Sequence, residues 1–295
     1  MIKENFKEKS IELSLRAISL SALLILIGIF FFLFVTGIKA FSEISFSDFF
    51  LGTDWNPISY NEPKWGILSL MVGTLMVTFG ALMIAIPLGI MAAVYLSEIA
   101  SPRIRELVKP TIEMIAGIPS VVLGLIGLLF LSPLIANIFG LSSGLNALTS
   151  SLIVGIMVLP TIISVSEDVL TSLPKEFREA SLALGATKWQ TIKMTLIPAA
   201  LSGIVASVML GLGRAVGETM AVLMVAGNSR AFPVSFFEPV RPMTSNIAIE
   251  IKEVVQGSLH YQALFAIGLV LFMMTFVVNF ISDIIINKQT KKYRW

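Results

Sequence analysis

Residues 171–200 read TSLPKEFREASLALGATKWQTIKMTLIPAA, a turn-marked, charged segment set between two long apolar runs. Pro174 suits a first helical turn, residues 176–182 continue a helix, and Gly185 supplies a C-terminal stop. Thr187-x-x-Gln190 then has the capping-box form, with Trp189 and Ile192 available for burial and Pro198 opening the next run. The spacing predicts a helix, a glycine turn and a second helix, a compact knob between two hydrophobic segments. Ala180, Ser181 and Ala183 leave room for close approach by another protein, and Arg178 and Glu179 offer charged contacts.

Outward from this knob, apolar runs cover roughly 17–38, 67–97, 110–132, 148–169, 198–226 and 261–286. Each meets the about 20 residues that a helix needs to cross a bilayer. In the chain of 295 residues 56% are apolar and 14% charged, which excludes a water-soluble globule, a disordered tail and a solvated coiled coil. The architecture expected is all-α, a polytopic membrane bundle of six transmembrane helices. Its parts are a segment 1–16, a first helix 17–38, a loop 39–66, a core of five helices over 67–286 and a tail 287–295. The core contains the 171–197 knob and a second long loop, 227–260. Lys3, Lys7, Lys9 and Arg16 precede the first run as in a signal peptide, but the run is too long and Ile38-Lys39-Ala40 lacks a small residue at the minus-three position. It reads as a retained anchor.

The basic residues orient the bundle. Of 21 Lys and Arg, one side collects those before the first run, then Arg103, Arg105, Lys109, Lys175, Arg178, Lys188, Lys193, Lys288, Lys291, Lys292 and Arg294. The other side has only Lys39, Lys64, Arg230, Arg241 and Lys252. The positive-inside rule therefore predicts cytoplasmic N- and C-termini, a cytoplasmic knob and external loops 39–66 and 227–260. The first external loop is compatible with an aromatic interfacial belt or a docking surface, the second with a cap or a re-entrant feature. Pro87, Gly117, Pro119 and Pro160 lie at depth in the runs, where a broken ladder faces a neighbouring helix or water, or reflects only the frequency of these residues in membrane helices.

Arg214 is the one basic residue inside a run, about 24 Å beyond Pro198 along a helix. Glu218 follows four residues later, on the same face of a continuous helix. A charge at the bilayer centre costs at least about 2.5 kcal/mol, so neither faces lipid. One reading makes them a self-neutralising packing pair. The other places them on a translocation path, where a guanidinium presents paired donors to a tetrahedral oxyanion and Glu218 compensates it when the site is empty. Gly213-x-x-x-Gly217 straddles the pair and allows close helix packing. Glu113 sits at the start of the third run, where a gate or a salt bridge to Lys109 at i−4 are the alternatives; Glu167 and Asp168 read as interfacial solvation.

Two motifs carry a family resemblance. Glu179-Ala180-Ser181-x-x-x-Gly185, nine residues, then Thr195-x-Ile197-Pro198 resembles the EAA loop of ABC-importer permeases, departing from its pattern at Ser181, Thr195 and Ile197. The resemblance implies a type I, MetI-like permease whose loop, through Arg178, Glu179, Ala180, Ser181, Gly185 and Pro198, couples to a cytoplasmic ATPase. The run Arg214-Ala215-Val216-Gly217-Glu218-Thr219-Met220-Ala221-Val222 is similar to the signature of PstC-type phosphate permeases. Phe50-Leu51-Gly52-Thr53-x-Trp55-x-Pro57 and Ile112-Glu113-Met114-Ile115-Ala116-Gly117-Ile118-Pro119-Ser120-Val121-Val122 extend the match. This resemblance implies a substrate path at Arg214, Glu218 and Thr219, a prokaryotic plasma-membrane location and phosphate as cargo. It also implies a PstA-like second permease, a PstB-like ATPase dimer that uses ATP and Mg²⁺, and an external PstS-like binding protein. Sulfate or molybdate as cargo, and an ATP-independent channel or secondary transporter, are the alternatives.

Other chemistries find little support. The chain has no G-x-x-x-x-G-K-[ST] phosphate loop, so ATP hydrolysis belongs to another subunit and no cofactor is expected here. With no Cys and one His, disulfides, thiolate catalysis and a metal centre are not expected. Gly140-x-Ser142-x-Gly144 with His260 fits a serine hydrolase formally, but reads as a turn between runs. A net charge of +2 suggests no nucleic-acid partner.

Overall fold

Among the described residues, six helices are long and apolar enough to cross a membrane, in the order the apolar runs predict. The structure is a computed structural model that describes the backbone of residues 2–59 and 62–292 and the side chains of 11–59, 62–282 and 284. Lys3, Lys7, Lys9, Lys288, Lys291, Lys292 and Arg294, used above for orientation, lie outside the described side chains.

The helices are α1 (Ile2–Gly37), α2 (Phe46–Leu51), α3 (Leu68–Val94), α4 (Pro102–Ala116), α5 (Ser120–Ile126), α6 (Ser132–Phe139) and α7 (Ala147–Ser172). They continue as α8 (Lys175–Ala183), α9 (Lys188–Thr191), α10 (Ile197–Gly217), α11 (Met220–Val225), α12 (Met243–Glu250) and α13 (Leu259–Lys292). Two short antiparallel strands, β1 (Trp55–Asn56) and β2 (Lys64–Trp65), pair Trp55 with Trp65. Three spans carry a π turn, at Tyr95–Ile99 after α3, Gly127–Leu131 between α5 and α6, and Ile192–Leu196 between α9 and α10. Such turns hold backbone carbonyls off the α ladder and recur at functional positions.

Helix α7 is the axis of the bundle, because its neighbours offer it glycine. A side-chain carbon on Gly211 would lie 2.8 Å from Val158, and one on Gly89 2.7 Å from Ile162. Gly80 meets Ser151 and Gly203 meets Val169 in the same way. Small residues let α3 and α10 close on α7, the usual basis of association in lipid, where burial between helices gains little. Ser150 and Ser151 return their hydroxyls to the carbonyls of Asn146 and Ala147, and Ser166 shares a hydrogen bond of 2.7 Å with Ser207 of α10. These polar groups are thus satisfied without water. Pro160 sits inside α7 without ending it, while Pro119 is the cap that starts α5.

The third apolar run does not form one span. Gly117-Ile118-Pro119 ends α4, which buries none of its residues, and the membrane-length helix begins only at Ser120. Proline pushes Ile118 away from helical geometry, so the kink expected at depth is a full break at the edge of the bundle. Helix α1 lies outside the core: it packs on α13 through Phe30 against Phe272 and Phe32 against Phe265. Residues 43–59 and 62–67 and α12 fold together as a cap around buried Phe49, Trp55, Ile67 and Met243, and Arg230 and Arg241 of the 227–242 segment join it through Glu250.

Candidate functional site

The fifth run breaks at Glu218, four residues beyond Arg214. Helix α10 ends at Gly217, Glu218 adopts an extended backbone, and α11 begins at Met220. The Glu218 carboxylate turns onto α11: its Oε1 accepts the Thr219 N–H at 3.1 Å and the Ala221 N–H at 3.2 Å. Its carbonyl accepts the Thr244 hydroxyl of α12 at 3.0 Å. The two charges do not share a helix face, and no Arg214–Glu218 ion pair is present among the described residues. The expectation of an i,i+4 arrangement fails because an acidic side chain satisfies the free N–H groups of a helix start better than it pairs in the unfavourable Arg-before-Glu order.

Arg214 instead reaches α7. Its Nη1 donates to Thr161 Oγ1 at 3.3 Å, and among the described residues no carboxylate lies within ion-pair distance of it. The guanidinium occupies the last turn of α10, where free carbonyls favour a cation. A methyl group added at Gly213 or Gly217 would meet no atom of another element within 4 Å among the described residues, so these glycines leave the face beside Arg214 open. Thr219, half-buried, donates its hydroxyl to the Gly217 carbonyl at 3.1 Å and stabilises the break. Nothing in the sequence marks Thr161, because a hydroxyl beside Pro160 in a serine-rich helix gives no separate signal.

At the other end of α10 the knob forms as its turn chemistry predicts. Gly185 takes a left-handed φ of 84°, and Thr187 and Gln190 make the full reciprocal capping box. The second helix then runs through the π turn into α10, with Pro198 in its first turn. Glu179, Ala180 and Gly185 are exposed and Ile192 is buried, but Trp189 is exposed rather than packed. Two departures from the EAA pattern explain each other: Thr195 donates to Ser181 at 3.4 Å, and Ser181 lies 3.0 Å from Thr191. A polar contact replaces an apolar one.

Arg178 does not point outward as expected. Its Nε lies 3.1 and 3.2 Å from the two carboxylate oxygens of Glu98, and Nη2 reaches the same carboxylate. The remaining donors take the carbonyls of Leu173 at 3.1 Å and Leu170 at 2.9 Å. The hydrogen bond to Glu98 raises the Arg178 pKa against the opposing effect of burial. An arginine fork satisfies a carboxylate and the free carbonyls of a helix end together, which outcompetes exposure to water.

Glu113 is exposed on α4 and not paired with Lys109. Lys109 reaches across to Glu167 and Asp168 of α7. Burial pushes the Lys109 ammonium down, and the bonds to Asp168 and Glu167 outweigh it and raise its pKa. Glu167, with only 2% of its side chain exposed, also faces Arg105 at 3.6 Å. It is a buried clasp between α4 and α7, not a solvated interfacial group.

The cap holds a cluster that the sequence does not reveal. Glu250 accepts the Trp55 indole N–H at 2.9 Å, lies 2.9 Å from His260 Nε2, and takes Arg230 and Arg241 at 3.2 Å each. Burial pushes its carboxyl up, but the bonds from His260 and Trp55 and the Arg230 charge outweigh this and hold it below the usual range. His260 is thereby engaged away from Ser142, which removes the base from the hydrolase reading. The signal available is Trp55 within the matched first-loop motif, but its partner stands 195 residues away.

Six membrane-length helices with an exposed helix–glycine–helix knob have the form of an importer permease. Residues 85–295 match the family of binding-protein-dependent transport system inner membrane components, and the chain belongs to that family. It is a multi-pass membrane protein. It is 41% identical over 85% of its length, and 82% of the relative's, to a probable ABC transporter permease protein YqgH of Bacillus subtilis. It is 36% identical over 89% of its length, and 85% of the relative's, to the phosphate transport system permease protein PstC of Mesorhizobium japonicum. The PstC of Pasteurella multocida is 37% identical over 86% of this chain and 83% of its own. Among solved structures, a bacterial ABC transporter that imports alginate aligns over 92% of this chain and 96% of its own with TM-score 0.61 and 17% identity. The MetNI methionine ABC transporter aligns over 76% and 94% with TM-score 0.56 and 21% identity. Both share the MetI-like permease fold.

Proposed function

We propose that this chain is the PstC-type permease subunit of an ATP-driven phosphate importer in a prokaryotic plasma membrane, with both termini and the α8–α9 knob in the cytoplasm. The observation that carries the reading is Arg214: a guanidinium within a membrane-spanning helix, held by one threonine, with no carboxylate partner among the described residues. A fixed cation at that depth is costly unless an anion or water reaches it, and its fork geometry suits a tetrahedral oxyanion. Glu218 holds the helix break open beside it, and Thr219 lines that break.

In this reading the open face at Gly213 and Gly217 meets a homologous second permease, so the path forms between the two subunits. The exposed knob residues Glu179, Ala180 and Gly185, with the apolar tip at Leu182, Leu184 and Trp189, enter a cytoplasmic ATPase dimer that binds ATP and Mg²⁺. Closure of that dimer rocks the bundles between outward- and inward-open states, and phosphate delivered by an external binding protein passes Arg214. Glu113, exposed on α4, stands near the cytoplasmic exit in this orientation and would act there as a gate.

The test is uptake of radiolabelled phosphate into proteoliposomes holding the chain with its second permease, ATPase and binding protein. Phosphate uptake that sulfate does not displace, and that Arg214→Gln abolishes while the complex still assembles, is the expected result. Preferential sulfate or molybdate uptake, or undiminished phosphate uptake by Arg214→Gln, would overturn it.

A further inference from the structure

We infer that Glu98, acting through Arg178, is the positioning residue that carries movement of the knob into the two central helices α3 and α7. The inference rests on the importer reading above and assigns the link within this chain.

Helix α8 buries none of its residues, so apolar packing does not fix its place against the bundle. What fixes it to α3 and α7 is the Arg178 fork, while Ser181 ties it to Thr191 and Thr195 of the second knob helix and its π turn. The Arg178 side chain holds the Glu98 carboxylate in the π turn at the end of α3 and the carbonyls of Leu170 and Leu173 at the end of α7. Glu98 is itself nearly enclosed, with 8% of its side chain exposed. The α3 π turn is gripped a second time: Arg105 of α4 donates to the Leu96 carbonyl at 2.8 Å and to that of Ser97. The turn frees those carbonyls, and two arginines from two different elements grip it. Displacing α8 therefore pulls on α3 and α7 together, the pair that packs most extensively in the bundle, with α7 also contacting Arg214 through Thr161.

Replacing Glu98 by Gln keeps the shape and one acceptor but removes the charge-assisted fork. Arg178→Lys keeps the charge but loses the simultaneous reach to three acceptors. Each variant is reconstituted with the partner subunits, and the readout is phosphate imported per ATP hydrolysed. Expected is a roughly tenfold fall in this ratio, inside the usual span of coupling free energies, with Glu98→Gln still co-purifying with the ATPase. A merely structural role lowers assembly and both rates in parallel and leaves the ratio unchanged. An unchanged ratio in both variants, or failure of both to assemble, overturns the inference. A parent complex that moves sulfate in place of phosphate refutes the cargo and not the link, because the ratio is then read with sulfate.

Discussion

Arg214 and Glu218 stand four residues apart in the chain and serve different helices: the guanidinium reaches Thr161 of α7 while the carboxylate caps α11. The helix break at Glu218 converts what reads as an ion pair into one fixed cation with no carboxylate partner among the described residues and one structural acceptor.

That division predicts different phenotypes. Glu218→Ala removes two hydrogen bonds to the start of α11 and lowers stability by about 1 kcal/mol, the usual cost of losing a helix cap. Glu218→Gln, which retains a carbonyl acceptor, costs less than half as much. Thermal unfolding followed by helical ellipticity in detergent ranks the two, and equal losses would show that charge rather than capping matters.

The α4–α7 clasp is asymmetric. Lys109→Ala leaves the buried Glu167 carboxylate with Arg105 at 3.6 Å and the Thr171 hydroxyl. The expected loss is about 2 kcal/mol, below the full cost of breaking a buried pair because Arg105 remains. Glu167→Gln costs less, since Lys109 keeps Asp168 and Arg105 keeps its carbonyls. Denaturant midpoints of the two variants check the order.

The cap should loosen in acid. The Glu250 pKa is lower folded than unfolded, so its contribution to stability is complete above the ordinary carboxylate range and is lost as pH falls through the depressed folded value. Trp55, whose indole donates to this carboxylate, reports the change: its emission shifts on acidification, and Glu250→Gln flattens the response. A Trp55→Phe control isolates the signal, and an unaltered profile in Glu250→Gln refutes the assignment.

Orientation is testable directly because the chain has no Cys. Leu184, 90% exposed at the knob, and Val234, 81% exposed in the cap, are each replaced by Cys. An impermeant maleimide applied to intact cells is expected to label Val234→Cys and to spare Leu184→Cys until the membrane is opened. The reverse pattern inverts the topology.

Most of the bundle is legible in the sequence because its signals are local. Apolar length marks a span, and Thr187 with Gln190 or Gly185 marks a helix end within four residues. The break at Glu218 is hidden because Gly-Glu-Thr-Met between apolar stretches reads as continuous helix; the capping that produces it uses an acid, which the eye pairs first with the nearby Arg. Arg178 misleads for a similar reason, since its partner Glu98 lies 80 residues away. The Glu250 cluster draws Trp55 and His260 from opposite ends of the chain, and no periodicity encodes that meeting.

The π turn at Ile192–Leu196 also bears on how the chain tolerates change in length. A π turn holds about one residue more than the α turn it replaces, so deleting a single residue there returns the segment to ordinary helix and leaves the flanking faces in register. The same deletion at Ala206, between that turn and Arg214, rotates the guanidinium by about 100° about the helix axis and off Thr161. One short stretch of α10 thus sets the azimuth of the charge, while the stretch just before it acts as slack between the knob and the membrane.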